Sequence, residues 1–246
     1  MEWFKDLYDD FRMRTGFGSL PAPTTSKEVD FLVRELNLFK GSRVLDLFCG
    51  TGRHSIELAK RDIVAVGIEF NADYLKLATA RAQAAGVLPT FVQGDVRDTD
   101  FRGGYDAVIT MYHSFGYIED AEDRRVLQKV YEALKPGGRL FLEILSRDFL
   151  VRNFGTTDEK TVEGITVREE REFDMLMSRI NSTITRFEQS GPVVRRVSWR
   201  FYSAHEIKAI LEGLGFQFVS GYADLEKTPV TLDTRLMRLI FERAKC

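Results

Sequence analysis

The stretch Arg43-Val44-Leu45-Asp46-Leu47-Phe48-Cys49-Gly50-Thr51-Gly52-Arg53-His54-Ser55 limits what this chain can fold into more than any other segment. Val44, Leu45 and Leu47 make a short buried strand. Cys49-Gly50-Thr51-Gly52 is too small-chained to pack as anything but a turn, and Ser55 to Lys60 reads helical. A strand, a tight glycine turn and a helix form the first half of a nucleotide-binding α/β unit. The glycines let a ligand lie against bare backbone, and the helix start offers unpaired N–H groups to an anion. Counted as G-x-G-x-x-G from Gly50, the third position is Ser55, and an acid, Asp46, precedes the turn. Both depart from a dinucleotide fingerprint.

Strands and helices alternate downstream. Ile63 to Ile68 is a second strand ended by Glu69, and residues 72–85 form an Ala-rich helix that Gly86 stops. Thr90-Phe91-Val92 is a third strand, followed by Gln93-Gly94-Asp95-Val96-Arg97-Asp98. Tyr105 to Met111 is a fourth, ending in Tyr112-His113-Ser114-Phe115-Gly116-Tyr117. A helix over Ala121 to Leu134 is broken by Lys135-Pro136-Gly137-Gly138, and Arg139 to Leu145 is the fifth strand. In residues 146–202 the alternation stops. Period-two apolar patterns around Ile165, Val167 and Phe173, around Ile180 and Ile184, and around Val197, Trp199 and Phe201 predict three antiparallel strands. Ser203 and Glu206 form a capping box before a helix that Gly215 stops, and Phe216 to Tyr222 and Leu236 to Phe241 are the last strands. Upstream, Thr25 and Glu28 form another capping box, with a helix over 26–38. Residues 1–23 predict an amphipathic helix and a strap, Gly16-Phe17-Gly18-Ser19-Leu20-Pro21. That segment is either a helix packed on the domain edge or a lid bringing Tyr8 or Phe17 to an acceptor pocket.

At 246 residues and 44% apolar composition, the chain can bury a full core as one domain with an insertion. The net charge of −2 lacks the basic excess of a nucleic-acid or anionic-membrane binder. No run of about 18 apolar residues predicts a membrane span. The start, Met1-Glu2-Trp3-Phe4-Lys5-Asp6, lacks a signal-peptide layout. Cys49 and Cys246 make neither a disulfide framework nor a metal cluster. A cytoplasmic protein without metal is expected.

With Asp46 ahead of the glycine turn, Glu69 ending the next strand, Gly94-Asp95-Val96 after the third and Leu-Lys-Pro-Gly-Gly before the fifth, the chain resembles class I S-adenosylmethionine (SAM) dependent methyltransferases. The resemblance covers residues 43–145 by motif and the C-terminal helix and strands by pattern. It implies an α/β, Rossmann-like seven-stranded sheet of order 3-2-1-4-5-7-6 with the last strand antiparallel. The core would be 1–145 and 203–246, with an N-terminal lid over 1–23 and an antiparallel β insertion over 146–202. The insertion either covers the acceptor pocket or forms a dimer. More narrowly, Cys49 to His54, His113 to Tyr117 and Arg200-Phe201-Tyr202 look like a bacterial and archaeal subgroup assigned mostly to small molecules.

The resemblance assigns cofactor contacts to Asp46, Cys49, Gly50, Thr51, Gly52, Glu69, Phe70, Asp95, Val96 and Met111. Glu69 accepts both ribose hydroxyls, Asp95 accepts from the adenine amino group, the Val96 N–H meets a ring nitrogen, and Asp46 orders the turn. The end of the fourth strand faces the sulfonium, so Tyr8, Tyr112, His113, Phe115, Tyr117, Arg200 and Tyr202 are the expected acceptor contacts. His113, where the subgroup often carries Asn, is the candidate general base, its alternative being an imidazole bonded to backbone. The expected reaction is in-line methyl transfer from SAM, leaving S-adenosylhomocysteine, to a nitrogen or oxygen of a small molecule. An RNA or protein acceptor, a non-catalytic SAM-binding module and an NAD-type oxidoreductase are the alternatives. No Asn-Pro-Pro-Tyr or Asp-Pro-Pro-Tyr segment follows the fourth strand, which speaks against methylation of nucleic-acid bases. A monomer or homodimer is expected.

Overall fold

The computed structural model describes residues 3–15 and 22–245. Two short helices, α1 (Trp3–Leu7) and α2 (Asp10–Thr15), precede α3 (Ala22–Glu35). The strap over 16–21, Phe17 included, and Cys246 lie outside the described residues. The core runs β1 (Arg43–Leu47), α4 (Arg53–Ala59), β2 (Val64–Glu69), α5 (Ala72–Ala84), β3 (Thr90–Gln93), β4 (Tyr105–Thr110), α6 (Asp120–Ala133), β5 (Leu134–Leu145) and α7 (Arg147–Arg152). An insertion of β6 (Thr157–Val162), β7 (Ile165–Asp174), β8 (Arg179–Glu188) and β9 (Gly191–Arg200) follows. The chain closes with α8 (Ala204–Gly213), β10 (Phe216–Tyr222) and β11 (Leu236–Arg243).

Seven strands pair in the order β3-β2-β1-β4-β5-β11-β10, with β11 antiparallel to both neighbours. This is the expected order, with β10 and β11 as sixth and seventh strands. Successive residues feed opposite layers, as the two-residue strand repeat requires. Val44, Ala107, Ile109, Phe141 and Ile240 pack under α3 and α4, and Leu45, Leu47, Val108, Leu140 and Leu239 pack under α6 and α8. Both faces are covered, so these strands read as continuous apolar runs.

Three local expectations change. Thr25 and Glu28 do not cap a helix: α3 already starts at Ala22, and both side chains are buried against Arg53. Lys135 to Gly138 do not separate α6 from the fifth strand; they bulge within it. Tyr105 pairs with Leu134 and Ala107 with Arg139, so four residues oppose one. The inserted sheet has four strands, not three. The fourth, β6, is a charged, exposed edge strand without apolar alternation until Val162, and so carries no periodic signal.

The insertion packs on α1. Trp3, Phe4 and Leu7 are buried against Val197, and Trp3 meets Trp199 edge-on at 5.3 Å and Tyr117 at 5.6 Å. No described helix is long and apolar enough to cross a membrane.

Candidate active site

Leu47 pairs with Ile68 on one side and Thr110 on the other, so Phe48, Glu69 and Met111 leave the sheet at one carboxyl edge. That edge is where open α/β sheets bind ligands. Backbone strain concentrates there: Phe48, Tyr112 and His113 have φ of 60°, 55° and 54°. The last two are held by Glu143, whose carboxylate accepts from the Tyr112 N–H at 2.9 Å and whose carbonyl accepts from the His113 N–H at 3.0 Å.

A cavity opens at this edge. Asp46, Cys49, Gly50, Thr51, Glu69, Phe70, Asp95, Val96 and Met111 line it, together with Tyr8, Tyr112, Phe115 and Tyr117. Glu69 is 6% exposed; one carboxylate oxygen accepts from the Gly50 N–H at 3.1 Å and the other from the Asn71 N–H at 3.0 Å. Each oxygen keeps acceptor capacity for a further donor. Burial pushes this carboxyl up to about 7, against the pull of those backbone donors. Asp46, also buried and raised by desolvation, accepts from the Ser55 hydroxyl at 2.6 Å and so ties the strand to α4 across the turn. Thr51 accepts from Arg81 at 2.8 Å. Burial raises the Cys49 thiol well above its ordinary range, which keeps it protonated. Asp95 is ion-paired with Arg97 at 2.6 Å.

Gly52 is absent from the cavity wall. It caps α4 at φ 72°, and a Cβ there would lie 2.6 Å from the Phe91 ring and 2.9 Å from Ala78. The second glycine of the turn thus lets β3 and α5 close against α4. Gly52→Ala is expected to destabilise the fold by about 2–4 kcal/mol, through left-handed strain plus overpacking. Urea denaturation measures it, and a loss below about 1 kcal/mol would contradict the clash.

The N-terminal helices and the bend between them close the cavity through Phe4, Tyr8, Arg12 and Met13. The Asn71 amide donates to the Tyr8 carbonyl at 2.7 Å, the Tyr8 hydroxyl donates to Tyr117 at 2.7 Å, and Tyr117 donates to the His113 carbonyl at 2.9 Å. No residue of 146–202 lines the cavity; the inserted sheet supports it by carrying α1 and by bonding to the segment after β4, where the Arg200 N–H donates to the Gly116 carbonyl at 2.8 Å and Arg179 to the Ile118 carbonyl at 3.2 Å.

Three expected acceptor contacts lie elsewhere. The His113 ring stacks on Phe201 at 4.8 Å, its Nδ1 accepts from the Leu145 N–H at 3.2 Å, and its Nε2 is shut off from solvent. Burial drives its pKa down to about 3. The ring is neutral, its one acceptor nitrogen already used. Arg200 is 5% exposed and bonds to Asp120, to Glu206 and to the Phe201 carbonyl, pinning the insertion to α6 and α8. Tyr202 donates to Asp123 at 2.7 Å and is 3% exposed. These are polar residues of the interior, which sequence alone does not separate from pocket residues.

The structure adds a group not anticipated. Glu28 accepts from Arg53, His54 and the Tyr112 hydroxyl, and these three partners line the cavity. Those contacts hold Glu28 down at about 2, against desolvation. The Arg53 guanidinium lies 4.4 Å over the Tyr112 ring. Arg53 and His54 stand directly after the glycine turn, a visible signal; Glu28 was hidden by its resemblance to a cap. Asp123, also on the wall, is raised to about 7 by burial.

Such a site defines a nucleoside-binding α/β protein: a buried carboxylate after β2 beside a bare glycine backbone, with Phe70, Val96 and Met111 offering apolar faces. Residues 44–138 match a methyltransferase-domain family. A glycine/sarcosine N-methyltransferase of Halorhodospira halochloris is 30% identical over 210 residues, 82% of this chain and 75% of that protein. The CcbJ methyltransferase of Streptomyces caelestis superimposes with a TM-score of 0.80 at 20% identity, covering 99% and 97% of the two chains. A SAM-bound amino pentose methyltransferase of Micromonospora echinaspora superimposes with a TM-score of 0.66, also at 20% identity, covering 99% and 98%. At that identity the two structures speak for the fold. The chain belongs to the class I SAM-dependent methyltransferases. It is an enzyme, and SAM is its methyl donor.

Proposed function

We propose that this enzyme methylates a nitrogen of a small-molecule amine. The carrying observation is a cavity walled by Tyr8, Tyr112, Phe115 and Tyr117, with the His113 imidazole turned away and neutral, the His54 imidazole engaged by Glu28 and Asp123 engaged by Tyr202. A hydroxyl acceptor must lose a proton as it reacts, whereas an amine that arrives neutral presents its lone pair without a base. The N-methyltransferase of H. halochloris supports the same accepting atom.

SAM supplies a methyl group already activated by the sulfonium. The amine lone pair forms the new N–C bond as the S–C bond breaks with its electrons passing to sulfur, and the product leaves as an alkylammonium. The chain's share is placement and dryness. Glu69 takes the ribose hydroxyls, Phe70 and Val96 flank the base, and Asp95 takes the adenine amino group beside its bond to Arg97. The aromatic walls and the Tyr8–Tyr117 bond exclude water, which would otherwise stabilise the localised sulfonium charge more than the transition state, where that charge is shared between sulfur, methyl and nitrogen. The cytoplasm, and a monomer or homodimer, complete the proposal.

A tritiated-methyl screen across amine, alcohol, RNA and protein pools tests it. Label in amines is expected; label confined to alcohols, RNA or protein would overturn it. His113→Asn is expected to retain turnover within about threefold at every pH, because its ring serves the Leu145 N–H. A lost alkaline or acid limb in the pH–rate profile would restore a proton-transfer role.

A further inference from the structure

Two arginines line the cavity, and only one of them has a counter-ion. Arg53 is matched by Glu28 at 2.5 Å. Arg12, half-buried on α2, has no hydrogen-bond or ion-pair partner for its guanidinium among the described residues. Asp9 accepts the Arg12 backbone N–H at 3.0 Å, but its other carboxylate oxygen serves Arg186 at 2.8 Å, and Asp10 pairs with Arg14. The carboxylates of the wall are engaged as well. Asp46 holds Ser55, Asp95 holds Arg97, Asp123 holds Tyr202, and Glu69 takes the Gly50 and Asn71 N–H groups. A cation withdrawn from water without an anion is costly, and a bound molecule can supply one.

The place of Arg12 narrows the choice of anion. Burial raises the hydroxyls of Tyr8, Tyr74 and Tyr117, and the Arg12 charge pulls all three the other way, so the guanidinium stands near these rings. Tyr8 meets Tyr74 at 6.3 Å and Tyr117 at 6.0 Å between ring centroids. The Tyr74 ring covers the glycine turn, where a Cβ on Gly50 would touch it at 3.9 Å. Arg12 therefore serves the stretch between the bare Gly50 backbone and the acceptor walls. A planar fork of N–H donors there suits a carboxylate. The helix that carries it is loosely held. α2 buries no residue, and it rides on the inserted sheet through Arg14 with Glu163 at 3.1 Å and Phe11 beneath the Arg186 guanidinium at 4.7 Å. Exposed contacts of this kind contribute little.

We propose that Arg12 is a carboxylate anchor, carried over the cavity on α2, which takes its counter-ion from a bound molecule. The carboxylate is that of the methionine end of SAM or that of an acid-bearing acceptor; the chemistry is the same, and the bond fastens α2 over the loaded cavity. The anchor rests on the SAM cavity and not on which atom accepts the methyl group.

Calorimetry with S-adenosylhomocysteine, and with a decarboxylated analogue that keeps its amine, tests the first source. If SAM supplies the carboxylate, Arg12→Gln weakens S-adenosylhomocysteine about tenfold and leaves the analogue unchanged, and Arg12→Lys recovers part of the loss. Tritiated-methyl labelling of amino and hydroxy acids, against amines and alcohols without a carboxylate, tests the second. If the acceptor supplies it, Arg12→Gln binds both nucleosides as the wild type does, and labelling of the acids alone falls about tenfold. The melting temperature stays unchanged in either case, because α2 buries nothing. An equal loss for both nucleosides would make Arg12 a support of the wall and overturn the proposal. So would a variant that matches the wild type in both assays. Labelling confined to hydroxy acids and dependent on Arg12 would support the anchor while overturning the N-methylation.

Discussion

Glu69→Ala is expected to weaken SAM by about 2–4 kcal/mol, a 30- to 1,000-fold loss, since two charge-assisted ribose bonds go together. The position is built for that load. Glu69 ends β2 at the level of the glycine turn, is 6% exposed, and has its oxygens aimed by the Gly50 and Asn71 N–H groups. Alanine also strands those two donors, so Glu69→Gln is the companion variant; it keeps the shape and changes the charge. The pH dependence carries a sign. With its carboxyl raised to about 7, Glu69 becomes a full acceptor only as pH rises through that value. SAM affinity of the wild type should therefore increase between about pH 6 and pH 8 while that of Glu69→Gln stays flat. Calorimetry at both pH values reads it. Equal affinities of Glu69→Ala and wild type would mean that the ribose is held elsewhere.

The second large effect is on stability. Asp123 is 2% exposed near the start of α6, accepts the Tyr202 hydroxyl, and is raised to about 7, first by burial and then by the nearby charge of Asp120. A carboxyl whose folded pKa lies above its unfolded value binds its proton more tightly when folded. Its contribution is thus complete below the unfolded value near 4 and is lost as pH rises through about 7. Asp123→Asn keeps an oxygen for Tyr202 and removes the titration. Relative to the wild type, the variant should gain about 2–4 kcal/mol between about pH 4 and pH 8. Glu69 shares the sign and Glu28, held at about 2, opposes it, but both cancel in the comparison of variant with wild type. Denaturant titrations at the two pH values measure the difference. A constant offset would show that Asp123 ionises normally.

Much of the core was legible because its signals are local. Strand β1, its turn and α4 follow from residues adjacent in the chain, as do Glu69 at the end of β2 and the Gly215 stop of α8. The errors share a cause as well. Thr25 and Glu28 satisfy a capping pattern, yet Arg53, 25 positions beyond Glu28, claims both. Gly52 reads as a ligand-contact glycine but answers to Phe91 and Ala78. His113, Arg200 and Tyr202 have the chemistry of a pocket, but their partners are Leu145, Asp120, Glu206 and Asp123. β6 was missed because an exposed edge strand has no buried face to impose alternation.

Sequence alone determined the α/β alternation and the binding edge, because glycine turns and strand periodicity are constraints between near neighbours, and the family resemblance of its motifs implied the donor. Only the tertiary structure decided which polar side chains meet the cavity and which brace the fold. That choice depends on which distant partner satisfies each buried donor or acceptor, and chain spacing does not record it. The Asp46 to Ser55 turn therefore spoke for the cofactor. The aromatic walls of the cavity arise where the N-terminal segment and the end of β4, far apart in the chain, come together.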